Sequence, residues 1–546
     1  MSEVATTANI ASHLPAMAAR QPDKPAVVMP DGEGWEQLTF AELDAAASEI
    51  AHGLESVGIT RGVRTVLMVK PSLEFFALVF ALFKVGAVLV LIDPGMGRKA
   101  LGKCLKEVEP EAFVGVPAAH VARLVFRSSL RSVRINVTVG PRLFWGGHKL
   151  AKLKGNTAPY PMADTDPEEV AAILFTSGST GVPKGAVYTH GVFDAQVRLI
   201  GSRYAFGDDE IDCPTFPLFA LFDPALGMTA VIPDMDARFP GKADPKKIIK
   251  AITDHGCTTM FGSPALLKNL GRYGEESGTK LPTLRRVLSA GAPVPVNVLR
   301  QMEAMMEGGQ VFTPYGATES LPVASIGSHE VLAETAAGTS AGQGVCVGTP
   351  WEDVTVRIIG ITDEPIATWS DDLLVAAGTI GEITVRGPMV TKSYWGRPEQ
   401  TARAKIDDGG QTVHRMGDLG WFDDAGRLWM CGRKSHRIQT AAGDVFTVPA
   451  ERVFDQHEAV ARTALVGVGE AGAQRPVLLI ERLAGDSTPA DKLIGELQAL
   501  GSATDVTAGI VEIVVYPGTF PVDIRHNAKI VREKLKVWAD QNVTAS

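Results

Sequence analysis

The sequence predicts an α/β chain made of two or more parts, with helices laid on a parallel sheet. Three observations predict it. From residue 9 to Val116, helix-period and strand-like patterns alternate across glycine turns, which argues for a doubly wound parallel sheet. The apolar run Val170 to Phe175 reads as a buried strand that runs straight into a loop of glycines, hydroxyls and one lysine. Residues 433 to 546 alternate strands and helices of their own. At 546 residues the chain exceeds what a single hydrophobic core holds.

Early in the chain, Thr39-Phe40-Ala41-Glu42 starts a helix with a capping box, Thr39 as the cap and Glu42 three residues on. The run Phe75 to Ile92 is 18 residues with only Lys84 charged. It reads as a buried helix from Phe75 to Lys84, a stop at Gly86 and a strand from Ala87 to Ile92, not as a membrane span. Met1 to Ala16 has no basic region followed by an apolar core, so no signal peptide is expected. Residues 139 to 169, rich in Pro, Gly and Asp, read as a surface connection.

A net charge of −9 argues against a broad nucleic-acid surface. The five cysteines, at 104, 213, 257, 346 and 431, show no zinc or redox spacing and suit a reducing cytoplasm. No His-x-x-x-His pair occurs, so a metal site of protein ligands alone is not expected.

The loop runs from Thr176 to Gly185. Its glycines allow tight turning and close approach. Its hydroxyls, at Thr176, Ser177, Ser179 and Thr180, and Lys184 suit a polyphosphate. It is not a Walker loop, because Pro183-Lys184-Gly185 stands where that motif needs Gly-Lys-Ser/Thr. Downstream, Ser289 to Pro293 forms a Gly-Ala-Pro turn after a strand, Arg286 to Leu288. Tyr315-Gly316-Ala317-Thr318-Glu319 offers an aromatic face, a close approach, a hydroxyl and a carboxylate that can hold Mg²⁺. Asp418 offers two acceptors to two hydroxyl donors.

Two further glycine patterns fail on context. Gly467 to Gly472 fits a dinucleotide fingerprint, but Pro476 blocks the helix it must open. Gly338 to Gly342 fits a nucleophile elbow without the strand and helix that elbow requires.

Taken in order, the loop from Thr176, the Gly-Ala-Pro turn, the Tyr315 motif, the Gly381 to Gly387 segment with Tyr394, Trp395 and Thr401, Asp418, Gly432-Arg433 and Pro521 to Ile530 resemble the adenylate-forming superfamily. The resemblance covers nearly the whole chain. It implies a large multi-sheet N-terminal domain, 1–432, and a small α/β lid, 433–546, hinged at Ser435 where the superfamily usually has Asp or Lys. It implies ATP and Mg²⁺ as cofactors. ATP would meet Thr176, Ser177, Gly178, Ser179, Thr180, Lys184, Gly291, Ala292, Pro293, Tyr315, Gly316, Thr318, Glu319, Asp418, Arg433 and Lys529. Lys529, Glu319 and Thr180 carry the catalytic roles, the last two also holding the metal, and the Gly381 segment is expected to be structural. Phe216, Phe219 and Phe222 would line the acyl pocket.

Within the superfamily, Phe216 to Asp236 and Arg525 to Ile530 are most similar to the β-lactone synthetases of bacterial long-chain olefin biosynthesis. That implies a 2-alkyl-3-hydroxy acid as substrate, cyclised on its own adenylate. It also implies association with a hydrolase-like enzyme and a reductase. A fatty acyl-CoA synthetase shares every ATP motif and is the alternative. A non-catalytic ATP-binding scaffold is the distant one.

Overall fold

The computed structural model describes residues 8–92, 96–176, 183–216, 219–522 and 530–543. The capping box forms as read: Thr39 begins the helix Phe40–Ser56, its hydroxyl accepting from the Glu42 N–H while the Glu42 carboxylate accepts from the Thr39 N–H. The apolar run also divides as expected, into the helix Leu73–Lys84, buried from Phe75 onward, and the strand Val88–Leu91.

The early alternation does not stay in one sheet. Pro25–Asp31 and Gly34–Thr39 pair as a hairpin at one edge of the largest sheet. Arg64–Met68, Val88–Leu91, Ala112–Gly115 and Ile135–Thr138 are parallel members of a second, seven-stranded sheet. Val170–Thr176 joins that sheet in parallel and turns back antiparallel as Lys184–Thr189 at its edge. Strand pattern shows period and not partner, so sheet membership is set by long-range packing. The expected connection at 139–169 also holds structure, a two-residue edge strand His148–Lys149 and a helical turn Leu150–Leu153 with Leu150 buried.

In the larger sheet, Ile211–Pro214, Thr259–Phe261, Arg286–Leu288 and Gln310–Ala317 run parallel and adjacent. Their C-terminal ends therefore open on one side. Such ends are where open α/β sheets bind ligands.

Past Arg433 the chain forms a short turn, Lys434–His436, then a small hairpin and a three-stranded sheet with helices. Among the described residues, two hydrophobic clusters lie wholly beyond residue 437, and every other cluster lies wholly before 431. The helix Thr447–Phe454 still packs closely on the strand Leu428–Arg433. Gly432 permits it: its φ is +120°, and a Cβ there would lie 2.7 Å from Thr447 Oγ1.

All five cysteines are free and buried. Asp212 and Asp223 are buried together, close enough for each carboxyl to feel the other, the first on Ile211–Pro214 and the second in the helix Phe222–Leu226. Among the described residues no helix is long and apolar enough to cross a membrane.

Candidate active site

The site is built on the C-terminal ends of those parallel strands. Arg286–Leu288 leads into the Gly291 turn, where φ is +95° and the residue is solvent-facing. Next to it, Gln310–Ala317 carries Tyr315 and Gly316. The strand Ile211–Pro214 leads toward Phe216, whose ring meets Phe219 at 5.6 Å. Phe219 in turn stacks on Phe261 at 4.2 Å, at the end of the neighbouring strand. Phe222 turns elsewhere, toward Phe193 on the helix His190–Tyr204. The three phenylalanines are all half-buried and divide between two aromatic groups.

Antiparallel pairing sets Asp418 directly opposite Arg433. Asp418 Oδ1 lies 3.1 Å from Arg433 Nε, and Oδ2 accepts from the Tyr315 hydroxyl at 2.7 Å. Burial and the neighbouring Asp418 charge push the Tyr315 phenol well above its usual range. The Asp418 charge likewise raises the Arg433 guanidinium. Three sequence-predicted residues thus meet in one cluster.

A second cluster forms at Glu319. Its Oε1 accepts from the Tyr394 hydroxyl at 2.6 Å. Lys184, the first residue of Lys184–Thr189, sits 5.0 Å above the same tyrosine ring. The loop's lysine and the Tyr315 motif's glutamate therefore converge on one side chain. Behind them, Thr391 donates its N–H and its hydroxyl to the Glu319 carbonyl, at 3.0 and 3.1 Å. Buried Lys405 donates to the Thr391 hydroxyl at 3.3 Å. Burial brings the Lys405 ammonium down to about 7, against the Glu319 charge that raises it. The Thr318 carbonyl accepts from the Tyr188 hydroxyl.

Sequence reasoning missed Tyr394, Thr391 and Lys405. Tyr394 falls in a segment read as structural, and its partner lies 75 positions away. An apolar-flanked Lys405 within a short strand, Lys405–Asp408, was the available signal.

Ser435 is exposed in the turn Lys434–His436 and flanked by anchors. Lys434 Nζ reaches Glu382 Oε1 at 3.0 Å and the Thr362 carbonyl at 2.8 Å. Arg437 bridges Asp363 at 2.9 Å and Asp444 at 3.1 Å. Glu382, in the segment expected to be structural, also holds Arg415 at 2.6 Å with both side chains buried. Thr176 ends its strand opposite Lys184. Ser177, Gly178, Ser179, Thr180 and Lys529 lie outside the described residues.

A family model described as "AMP-binding enzyme" matches residues 14–395. The chain belongs to the AMP-binding enzyme family. Among curated members it is 52% identical to an olefin beta-lactone synthetase of Stenotrophomonas maltophilia (strain K279a), over 97% of this chain and 98% of the relative. It is 50% identical to an olefin beta-lactone synthetase of Xanthomonas campestris pv. campestris, over 98% of both. Among solved AMP-binding folds, an amide bond synthetase from Marinactinospora thermotolerans superposes with a TM-score of 0.80 at 23% identity, covering 97% of this chain and 99% of that one. ATP-bound MatB from Rhodopseudomonas palustris gives 0.79 at 21% identity, covering 98% and 100%. The fold is that of adenylate-forming enzymes.

The rejected glycine patterns also have ordinary structures. Ala336–Ser340 is helical, so Ser340 sits on no strand-to-helix elbow. Val460–Val468 turns into the antiparallel strand Arg475–Arg482, leaving no helix for a dinucleotide.

Proposed function

We propose that the chain is an ATP-dependent olefin β-lactone synthetase. It adenylates a 2-alkyl-3-hydroxyalkanoic acid and closes it to a cis-β-lactone, releasing AMP and pyrophosphate. The observation that carries this reading is the end-to-end likeness to the two curated synthetases of that name, at 52% and 50% identity. The site geometry supports the adenylating half.

In this reading Asp418 accepts the ribose hydroxyls, with Arg433 fixing its carboxylate and Tyr315 presenting a ring to the adenine. Gly291, Ala292 and Pro293 give the base a surface without bulk. Thr176, Ser177, Gly178, Ser179, Thr180, Thr318 and Lys184 receive the phosphates. Glu319 and Thr180 hold Mg²⁺. Among the described residues no group of three or more His, Cys, Asp or Glu could hold a metal. One carboxylate fits Mg²⁺ only if phosphate oxygens and water complete the shell, which is how that ion usually binds beside a nucleotide. Bound there, it offsets phosphate charge.

Two anions must meet before the acid attacks the α-phosphorus. Lys529 bridges them and stabilises the charge that builds between. The substrate's β-hydroxyl then attacks its own activated carbonyl, and AMP leaves. Intramolecular attack needs no second binding event, so no CoA is required. The pocket must keep water from the adenylate and seat two alkyl arms. Phe216 and Phe219, grouped with Phe261, and Phe222, beside Phe193, supply two separate apolar walls for them.

The division at 432/433 with a hinge at Ser435 is supported by the segregated cores. A cytoplasmic setting and assembly with hydrolase-like and reductase enzymes complete the reading. The deciding experiment gives the enzyme MgATP and a 3-hydroxy acid with two long alkyl arms, without CoA. Lactone and AMP are expected, and the same acid without its hydroxyl yields at most a stalled adenylate. Ready thioester formation from a plain fatty acid and CoA, with no lactone from the hydroxy acid, identifies an acyl-CoA synthetase instead.

A further inference from the structure

The chain is acidic overall, with a net charge of −9. One stretch runs against that balance. From Ala112 to Ala163 it carries five arginines and three lysines and no aspartate or glutamate. This stretch forms the edge of the seven-stranded sheet opposite the Lys184 hairpin, ending in the edge strand His148–Lys149.

The same edge presents apolar side chains outward. The helix Pro117–Val125 buries only His120. Val121, Leu124 and Val125, neighbours on one face at i, i+3 and i+4, are 48%, 45% and 69% exposed. The adjoining loop adds Leu143 at 59% and Phe144 at 76%. The loop is not loose there. Trp145 stacks on buried His120 at 5.3 Å and donates to the Thr138 hydroxyl at 3.0 Å, which holds Phe144 beside the helix. Single exposed leucines are ordinary, but five large apolar side chains on one helix and its adjoining loop are not. Exposed Arg127, Arg131, Arg134 and Arg142 lie in the chain between that helix and Leu143. The helix Arg98–Val108, with exposed Lys99 and Lys103, abuts the group, since a Cβ at Gly102 would lie 3.5 Å from Phe126.

We propose that this face docks on an anionic lipid bilayer. Basic side chains around a protruding aromatic and aliphatic tip match the two attractions of such a surface, charge at the headgroups and apolar burial just beneath them. The acidic remainder of the molecule is repelled by the same surface, so the charge asymmetry orients the protein as well as attracting it. Docking goes beyond the lactone reading and does not depend on it. If the substrate does carry two long alkyl arms, it resides in lipid, and the docked enzyme collects it there.

The test floats the full-length protein with vesicles, either phosphatidylcholine alone or with roughly one lipid in four replaced by phosphatidylglycerol, in about 0.1 M salt. The protein should float with the anionic vesicles only, and release as salt is raised. Arg127→Gln with Arg131→Gln should weaken binding about 25-fold, near fivefold per charge. Phe144→Ser should weaken it by roughly tenfold. Both variants should keep wild-type ATP–pyrophosphate exchange, because the altered residues sit at the far edge of the sheet from Lys184. No flotation of the wild type with anionic vesicles overturns the proposal, as does flotation undiminished in both variants. A soluble protein that binds this face while vesicles do not overturns it too.

Discussion

Glu319 is fixed from two sides, by Tyr394 at its carboxylate and by Thr391 at its carbonyl. A hydrogen bond to a charged group contributes about 1.5–3 kcal/mol, a factor of roughly 10 to 100. Tyr394→Phe keeps the ring under Lys184 and removes only the hydroxyl. Pyrophosphate exchange should fall at least about tenfold and need more Mg²⁺ for half-maximal rate. Glu319→Gln, which removes the charge and keeps the shape, should fall further. Unaltered rate and Mg²⁺ dependence in the glutamine variant would remove Glu319 from the metal site. Lys529→Ala should slow adenylation by roughly 10²–10³-fold, and near wild-type exchange would strip it of its bridging role. At this scale the sequence was most legible where chemistry is unusual for its place. Asp418, Arg433 and Tyr315 were each singled out alone, and the fold joins them. Tyr394 was not, because a tyrosine 75 positions from its partner carries no local sign of its role until that partner is known.

Among the elements, the ones with local causes were readable. The helix Phe40–Ser56 announces itself in four residues, and the break after Lys84 in one glycine. Pairing was not readable, since Pro25–Asp31 and Arg64–Met68 look alike and enter different sheets. The turn Lys434–His436 is an element whose role rests on its anchors. Lys434 is tied to Glu382, while His436 lies 3.2 Å from Glu533 in the last helix, Arg532–Asn542. Ser435 is the residue between those two attachments, which suits a pivot. Ser435→Pro fixes φ there. One half-reaction should survive and full turnover should fall. If stopped-flow assays show both half-reactions and the overall rate unchanged, the pivot lies elsewhere.

Across the whole molecule, the buried pair Asp212 and Asp223 makes stability depend on pH. Burial drives both carboxyls upward, Asp212 to about 7, and each sees the other's charge or hydrogen bond. The folded pair keeps a proton that the unfolded chain releases near pH 4. Its stabilising effect is complete below that value and is lost as pH rises through about 7. Asp223→Asn replaces the shared proton with a permanent donor. The melting temperature of the wild type minus that of the variant should therefore decline between pH 5 and pH 8, roughly following that ionisation. A difference that stays level across the range would mean the pair is already ionised. No sequence pattern marked these two residues, because their proximity comes from a strand and a helix folding onto one another.

The five buried thiols fall in four regions of the interior. Cys104 lies in the core of the seven-stranded sheet, Cys213 and Cys257 beneath the larger sheet, Cys346 beside Trp429, and Cys431 on the strand that touches the C-terminal part. Burial pushes Cys104 and Cys346 up to about 11 and Cys431 to about 12, so neither access nor thiolate favours reaction in the folded state. The molecule thus carries its own set of clocks. Brief exposure to an alkylating reagent, followed by peptide mass analysis, would time the opening of each region in the unaltered enzyme. Added nucleotide should slow the Cys431 clock most, since that thiol stands two residues from Arg433.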